Sequence, residues 1–250
     1  DEIIFLLYES FNFSYSRHFL SYLKKKYPWS RNFFVFSNPP DSYNTARVEC
    51  VRELYDYVVS DVKSLAEKYG YIYYPFYPMK FPEIGDNCPK NDVFFVGADK
   101  GRLSMLLAFF ELMNSLGLKC DFNIVGVPKE KQKYADIISY NSPLSYDEVL
   151  NRINSSRCVL EIVQKNLNYY TFRVSEAMLL HKKLISTNVE LENDSIFNSR
   201  ILKTFSPDEP LQSDFISFIK QSADIKDYPD SSNWSFSHFI DFLQGSPSNC

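Results

Sequence analysis

Short apolar runs alternate along the chain with stretches in which apolar residues recur every three or four positions. The first run, EIIFLLY at 2–8, is continuous, as in a strand buried on both faces. SYSRHFLSYLKKKYP (14–28) places Phe19, Leu20 and Leu23 on one helical face, and Pro28 ends the pattern. NFFVFS (32–37) is a second buried strand, stopped by NPPDS; residues 44–55 read as helical and YVVSD (57–61) as a short strand. This strand–helix alternation predicts an α/β arrangement. YIYYPFYPMKFPEIGDNCPKND (71–92) interrupts it with four prolines and reads as an interdomain linker.

The alternation then restarts. A strand at 93–96 leads into a helix from about 101 to 116, which Gly117 caps. CDFNIVG (120–126) is a strand, PKEKQKYADI (128–137) a helix with proline at its start, and IISY a short strand. SYDEVLNRIN (145–154) is a helix with Ser145 as cap and acids in its first turn. RCVLEIVQ (157–164) is a strand, Phe172 to Leu180 a helix, and KKLISTN (182–188) a strand. Weaker units follow around 195–205 and 211–221, and WSFSHFIDFLQ (234–244) is amphipathic and helical. Residues 90 to about 225 therefore predict a doubly wound domain of about six strands. Residues 1 to about 75 hold three strand–helix units, a short domain or the back half of one. The expected limits are 1–88, 89–225, and 226–250 as a helix and tail.

Composition narrows the class. A net charge of −4, from 27 basic and 31 acidic residues, lacks the basic surplus of a nucleic-acid binder. No apolar run approaches the ~18 residues of a membrane span. Cys50, Cys88, Cys120, Cys158 and Cys250 are scattered without a CxxC, which fits a reducing, cytoplasmic compartment, with Cys120 and Cys158 as buried thiols in strand patterns. His18, His181 and His238 have no second ligand nearby, so no metal site is expected. The sequence begins at Asp1 directly on a strand-like run, as in a trimmed chain or one with upstream residues missing.

With only seven glycines, each position counts. Gly97 and Gly101 share one strand-to-helix turn with Lys100 and Arg102. Helix starts at the carboxyl edge of a parallel sheet offer N–H groups and a positive dipole end, a seat for phosphate. Lys100 and Arg102 would supply charge, Arg102 in bidentate fashion. The alternative is a tight turn with solvated side chains; neither a Walker spacing nor GxGxxG is present. A second turn, NYYTFRVSEAMLLHKKLISTN (168–188), carries Glu176 one turn into a helix, where a carboxylate can accept two hydrogen bonds from a ribose diol. Arg173, three residues earlier, would reach a diphosphate, or pair with Glu176 at the surface for a few tenths of a kcal/mol.

Together these turns resemble the C-terminal, nucleotide-sugar-binding domain of GT-B glycosyltransferases. The family's EAM–x–x–G–x–P–V–I–x–T segment aligns with Glu176, Ala177, Met178, Lys183, Leu184, Ile185 and Thr187. Over roughly residues 90–190 the text DVFFVGADKGRL…LGLKCDFNIVG…LEIVQ…TFR…EAMLLHKKLISTN resembles bacterial enzymes of lipopolysaccharide or capsule sugar transfer. The resemblance implies two Rossmann-like domains (GT-B), the N-terminal one short or truncated. It implies a metal-independent glycosyltransferase, without a cofactor, moving sugar from a nucleotide-diphosphate sugar to a glycan or lipid-linked acceptor. Glu176 would hold the ribose and Lys100 and Arg102 the diphosphate, within a nucleotide-sugar set of Gly97, Lys100, Gly101, Arg102, Thr171, Arg173 and Glu176.

The sequence departs from the family at three places. Asn168 stands where many retaining members have a second glutamate, His181 and Lys183 replace the usual Gly and Pro context, and NLNYYTF replaces a Gly-rich loop. Rival readings are another enzyme on this scaffold, an epimerase or pyruvyl transferase, and a degenerate, non-catalytic binding or partner subunit, which Asn168 favours. For a catalytic base the candidates are Glu9 and His18, near the end of the first strand. Lys24, Lys25 and Lys26 with Trp29 read either as a solvated helix end favoured by the dipole or as a peripheral contact with the inner membrane leaflet.

Overall fold

A computed structural model describes residues 3–8, 13–36, 51, 53–74, 88–163, 170–194, 197–209, 214–230, 232 and 235–245. The chain divides into two compact units, Asp1–Tyr77 with Asp241–Cys250, and Pro78–Ile240. The division falls at 77/78, against the 88/89 expected, and the last ten residues group with the first unit. Within that unit Tyr74 packs on Phe242, ring centroids 4.8 Å apart, and Arg31 Nη2 donates to the Gln244 carbonyl at 3.2 Å.

The first unit comprises β1 (Ile4–Tyr8), α1 (Phe13–Lys26), β2 (Arg31–Val35), β3 (Tyr57–Ser60), α2 (Lys63–Tyr69) and β4 (Ile72–Tyr73). Its sheet is parallel, in the order β1-β2-β3-β4. Phe33 and Phe34 are buried in β2, and Phe33 stacks on Tyr57 of β3 at 4.5 Å. Asp56 joins α1 to β2, accepting from Lys24 Nζ at 2.7 Å and from the Asn32 backbone and side chain at 3.0 and 2.9 Å.

Three expectations change here. Leu20 and Leu23 are buried, but Phe19 is exposed. At about 100° per residue, Phe19 and Tyr22 form a neighbouring stripe, not the core stripe. The expected linker at 71–92 begins later, because Ile72 and Tyr73 pair with Val59 and Ser60. α2 has only Leu65 and Ala66 buried, too few for a periodic signal, and ends at Gly70 in the left-handed region (φ 67°). Of the helix expected at 44–55, residues 51, 53 and 54 are helical, Tyr55 is not, and the rest lies outside the described residues, as do 75–87.

The second unit holds β5 (Asn91–Ala98), α3 (Leu103–Ser115), β6 (Cys120–Val125), β7 (Ser139–Tyr140), α4 (Tyr146–Asn154), β8 (Ser156–Glu161), α5 (Phe172–Leu179), β9 (Lys183–Ser186), β10 (Leu202–Thr204) and α6 (Phe215–Lys220). A last helix, α7 (Phe236–Gly245), runs through the unit boundary. The sheet is parallel, in the order β10-β9-β8-β5-β6-β7. From β5 the chain builds outward through β6 and β7, then returns to β5's other side to start β8. That reversal puts the topological switch point at the carboxyl ends of β5 and β8, the place where open α/β sheets bind ligands. The core beneath it packs Leu106, Phe109, Phe110 and Met113 of α3 against Phe95, Phe122 and Phe215.

The helix expected at 128–137 is absent: only Lys129–Lys131 form a short 3-10 turn. Residues 129–133 are all polar, so a helix there would have no apolar face to bury, and helices this short need one. The segment is held instead by side chains. Asn141 Oδ1 accepts from Gly126 N at 2.7 Å, its Nδ2 donates to Val127 O at 2.7 Å, and Tyr134 takes a left-handed φ of 57°. The helix expected at 145–154 is present with its cap: Ser145 Oγ accepts from Glu148 N, and the Glu148 carboxylate accepts from Ser145 N at 2.8 Å.

Candidate nucleotide site

The turn after β5 contains two consecutive left-handed residues, Lys100 (φ 44°) and Gly101 (φ 81°). Asp99 organises it. Its carbonyl accepts from Arg102 N at 2.8 Å, and its Oδ1 accepts from Leu103 N at 2.8 Å. A carboxylate of the chain itself thus sits at the start of α3, where the sequence suggests a phosphate seat. Lys100 is exposed beside it.

Arg102 faces inward. Its Nε donates to the Asp99 carbonyl at 3.2 Å, and its two terminal nitrogens donate to the carbonyls of Ala98 and Ile162. One guanidinium therefore laces the end of β5 to the chain leaving β8, across the switch point. A Cβ at Gly97 would crowd the Phe95 ring, 3.3 Å from its Cζ, and would lie in ordinary contact with Arg102 Nη2 at 3.5 Å. These bonds engage the fork that the sequence reading offered to phosphate oxygens. Arg102 forms a brace at the switch point.

At the end of β8 lies Glu161, buried, which the sequence reading missed. Thr171 Oγ1 donates to one carboxylate oxygen and Ser186 Oγ to the other. Burial pushes its pKa up, while those hydroxyls and the Arg173 and Arg102 charges oppose the shift. Thr171 also caps α5, accepting from Arg173 N at 3.1 Å. The available signal was a single acid inside the apolar run RCVLEIV, which requires buried partners.

Glu176 lies one turn into α5 and is 1% exposed. Arg173, at i−3, forms an ion pair with it, and Tyr146, the first residue of α4, faces it from the neighbouring helix. Burial raises the Glu176 pKa to about 7 against the opposing pull of Arg173 and Tyr146. The pair is therefore buried, not the surface pair that the sequence left open. Tyr146 gave no signal in the sequence, where it reads as an ordinary helix-start residue.

The departures from the family segment have local replacements. His181 takes a left-handed φ of 50° at the end of α5, with its ring 5.2 Å from that of Tyr228. Lys183 reaches from β9 to the C-terminal carbonyls of α6, donating to Phe218, Ile219 and Gln221. Asn168 and Glu9 lie outside the described residues, and His18 is exposed on α1. No group of three or more His, Cys, Asp or Glu side chains that could hold a metal ion occurs among the described residues. None of the described helices is long and apolar enough to cross a membrane.

No family model matches the chain, and no curated protein matches it. Among solved structures, it is similar to TarM, with a TM-score of 0.53 and 10% identity, covering 82% of this chain and 45% of TarM. It is also similar to a structure of accessory secretory proteins 1, 2 and 3 of Streptococcus pneumoniae, with a TM-score of 0.52 and 9% identity, covering 96% of this chain and 52% of that one. The fold shared with these structures is α/β, with parallel, Rossmann-like sheets. The chain spans about half the length of each of these structures.

Proposed function

We propose that the chain is a glycosyltransferase that moves a sugar from a nucleotide-diphosphate sugar to a surface-polysaccharide or other glycan acceptor. The observation that carries this reading is Glu176: a carboxylate 1% exposed, paired with Arg173, one turn into a helix beside the switch point. Such a group is costly to bury. A ribose diol offers it two donors. Arg173 and the start of α5 would then face the diphosphate, with exposed Lys100 on the adjacent turn. Displacement at the anomeric carbon releases the nucleoside diphosphate, whose developing charge Arg173 and the helix dipole stabilise. The scheme asks for no metal ion. Arg102, and Glu161 with Thr171 and Ser186, tie the ends of β5, β8 and β9 together around this site.

The acceptor side of the proposal places the protein in the cytoplasm, against the inner membrane face. In the first unit, Tyr22 and Trp29 are 55% and 63% exposed, Phe19 lies on the same side of α1 as Tyr22, and Lys26 stacks on Tyr22 and Tyr27. Aromatic rings interleaved with lysines suit an anionic lipid surface, at about 1 kcal/mol per lysine. Lys24 is engaged by Asp56, which leaves Lys25 and Lys26 as the leading basic groups. The function is tested by titrating the purified chain with nucleoside diphosphates and then assaying hydrolysis and transfer from the matching sugar nucleotides. Binding with turnover supports it; no binding at millimolar concentration overturns it.

A further inference from the structure

Glu161 and Ser186 are the last residues of β8 and β9 and register partners in that parallel pair, so their side chains lie on one face of the sheet. The Ser186 hydroxyl donates to one oxygen of the Glu161 carboxylate and the Thr171 hydroxyl to the other. Each hydroxyl also accepts from a backbone N–H. Thr171 Oγ1 accepts from Arg173 N at 3.1 Å, at the start of α5. Ser186 Oγ accepts from Asn188 N at 2.9 Å, where the chain enters a 3-10 turn, Val189–Asn193. Beyond that turn, Asp194 accepts from the hydroxyl of Tyr170, the residue before Thr171. These bonds close a circuit, from Glu161 through Thr171 and Tyr170 to Asp194, and back through the turn and Ser186. Glu161, Tyr170, Ser186 and Asn188 are all buried.

We propose that Glu161 is a positioning residue of the site: through the two hydroxyls its carboxylate fixes the first turn of α5, and with it Arg173 and Glu176, against the end of β9. The inference rests on the nucleotide reading of Glu176. An ionised carboxylate suits the place because both of its oxygens accept. Each hydroxyl then donates to Glu161 while accepting a backbone N–H, and linked bonds of this kind polarise one another. A glutamine has one acceptor oxygen, and its amide nitrogen would face a hydroxyl whose own proton then has no acceptor. Arg173 and Arg102 direct positive charge toward Glu161, Arg102 from its bond to the carbonyl of Ile162, the next residue. Thr171 acts through Glu161, since its proton goes to the carboxylate and its oxygen takes the Arg173 N–H.

The test compares wild type with Glu161→Gln, Thr171→Val, Thr171→Ser and the double variant Glu161→Gln/Thr171→Val, all on the full chain. Affinity for UDP, GDP, ADP and CDP is titrated, and backbone amide hydrogen exchange is followed without ligand. Glu161→Gln and Thr171→Val should each weaken the best nucleoside diphosphate by about tenfold or more, the weight of one hydrogen bond to a charged group. The double variant should lose no more than the worse single variant, because both cut one relay. Thr171→Ser, which keeps the hydroxyl, should bind as wild type does. In Glu161→Gln, exchange at Arg173 and Asn188 should speed by a larger factor than at Phe94 and Val159 in the central strands. An equal factor at all four would make Glu161 a general stabiliser and refute the positioning role. If wild type binds a nucleoside diphosphate and Glu161→Gln binds it equally well, positioning is refuted while the nucleotide reading stands. Additive losses in the double variant would overturn the relay, since Thr171 would then touch the ligand itself. No binding by wild type removes the nucleotide reading, and the exchange measurement still decides whether Glu161 holds the start of α5.

Discussion

Glu176→Gln separates a functional carboxylate from a structural one. The pKa of Glu176 rises from an ordinary 4.5 to about 7 in the folded chain. Below pH 4.5 the carboxyl is protonated both folded and unfolded, and burial costs nothing extra. Between pH 4.5 and 7 the folded chain holds the proton longer than the unfolded chain, so stability falls as pH rises. Above pH 7 the folded protein keeps a buried anion at a cost of about 3 kcal/mol relative to the neutral form. Tyr146, pushed above its ordinary value by burial and by the Glu176 charge, stays protonated over this range. Glutamine copies the shape of the neutral acid and cannot ionise. Urea unfolding should therefore show Glu176→Gln more stable than wild type at pH 8, by up to about 3 kcal/mol, with the difference closing near pH 4.5. Glu161, also raised by burial, adds a slope of the same sign to both proteins and cancels in the comparison. The same variant should lose about tenfold or more in nucleotide affinity, the contribution of a hydrogen bond to a charged group. A Glu176→Gln protein less stable than wild type at pH 8 would refute the reasoning, because the pair with Arg173 would then be a net structural asset.

Other substitutions probe the frame around the switch point. Asp99→Ala removes the acceptor for Leu103 N and should lower stability by about 1 kcal/mol in urea unfolding, as lost helix caps do. Arg102→Lys cannot reach the carbonyls of Ala98, Asp99 and Ile162 with one ammonium, and should destabilise by about 2 kcal/mol by the same measurement. Lys183→Met keeps the buried stem but removes the donor at the end of α6, and should lower the melting temperature; an unchanged value would mean those carbonyls find water instead. Trp29→Ala combined with Lys25→Glu and Lys26→Glu should abolish co-sedimentation with vesicles containing phosphatidylserine, and equal binding by wild type and variant would exclude the α1 surface.

Much of the second unit can be read from its sequence because its strands are buried on both faces. Runs such as VFFV and VLEIV suit strands buried on both faces, as in a parallel sheet, and Ser145 with Glu148 marks a helix start by chemistry alone. Short elements are hidden: α2 buries two residues and β4 is a two-residue pairing, below any periodic signal. The segment 128–137 misleads because proline followed by lysines and glutamate has helical propensity, whereas the fold uses Asn141 to pin it. The pairing of Glu176 with Arg173 is readable from their spacing on one helix face. Tyr146 and Glu161 are not, since the first meets Glu176 only through the packing of α4 on α5, and the second meets Ser186 only through the pairing of β8 with β9. Arg102 shows the converse: its position at the switch point is readable, but its direction is set by three carbonyls that only the fold brings together.

Isothermal titration of the purified chain with UDP, GDP, ADP and CDP, repeated on Glu176→Gln, bears most directly on the proposed site. At least one nucleoside diphosphate should bind saturably, raise unfolding stability by about 2.7 kcal/mol at 100 times its dissociation constant, and lose about tenfold or more in affinity in the variant. No heat and no thermal shift with any of the four at millimolar concentration, or equal affinity in Glu176→Gln, would contradict a nucleotide site at the carboxyl ends of β5 and β8.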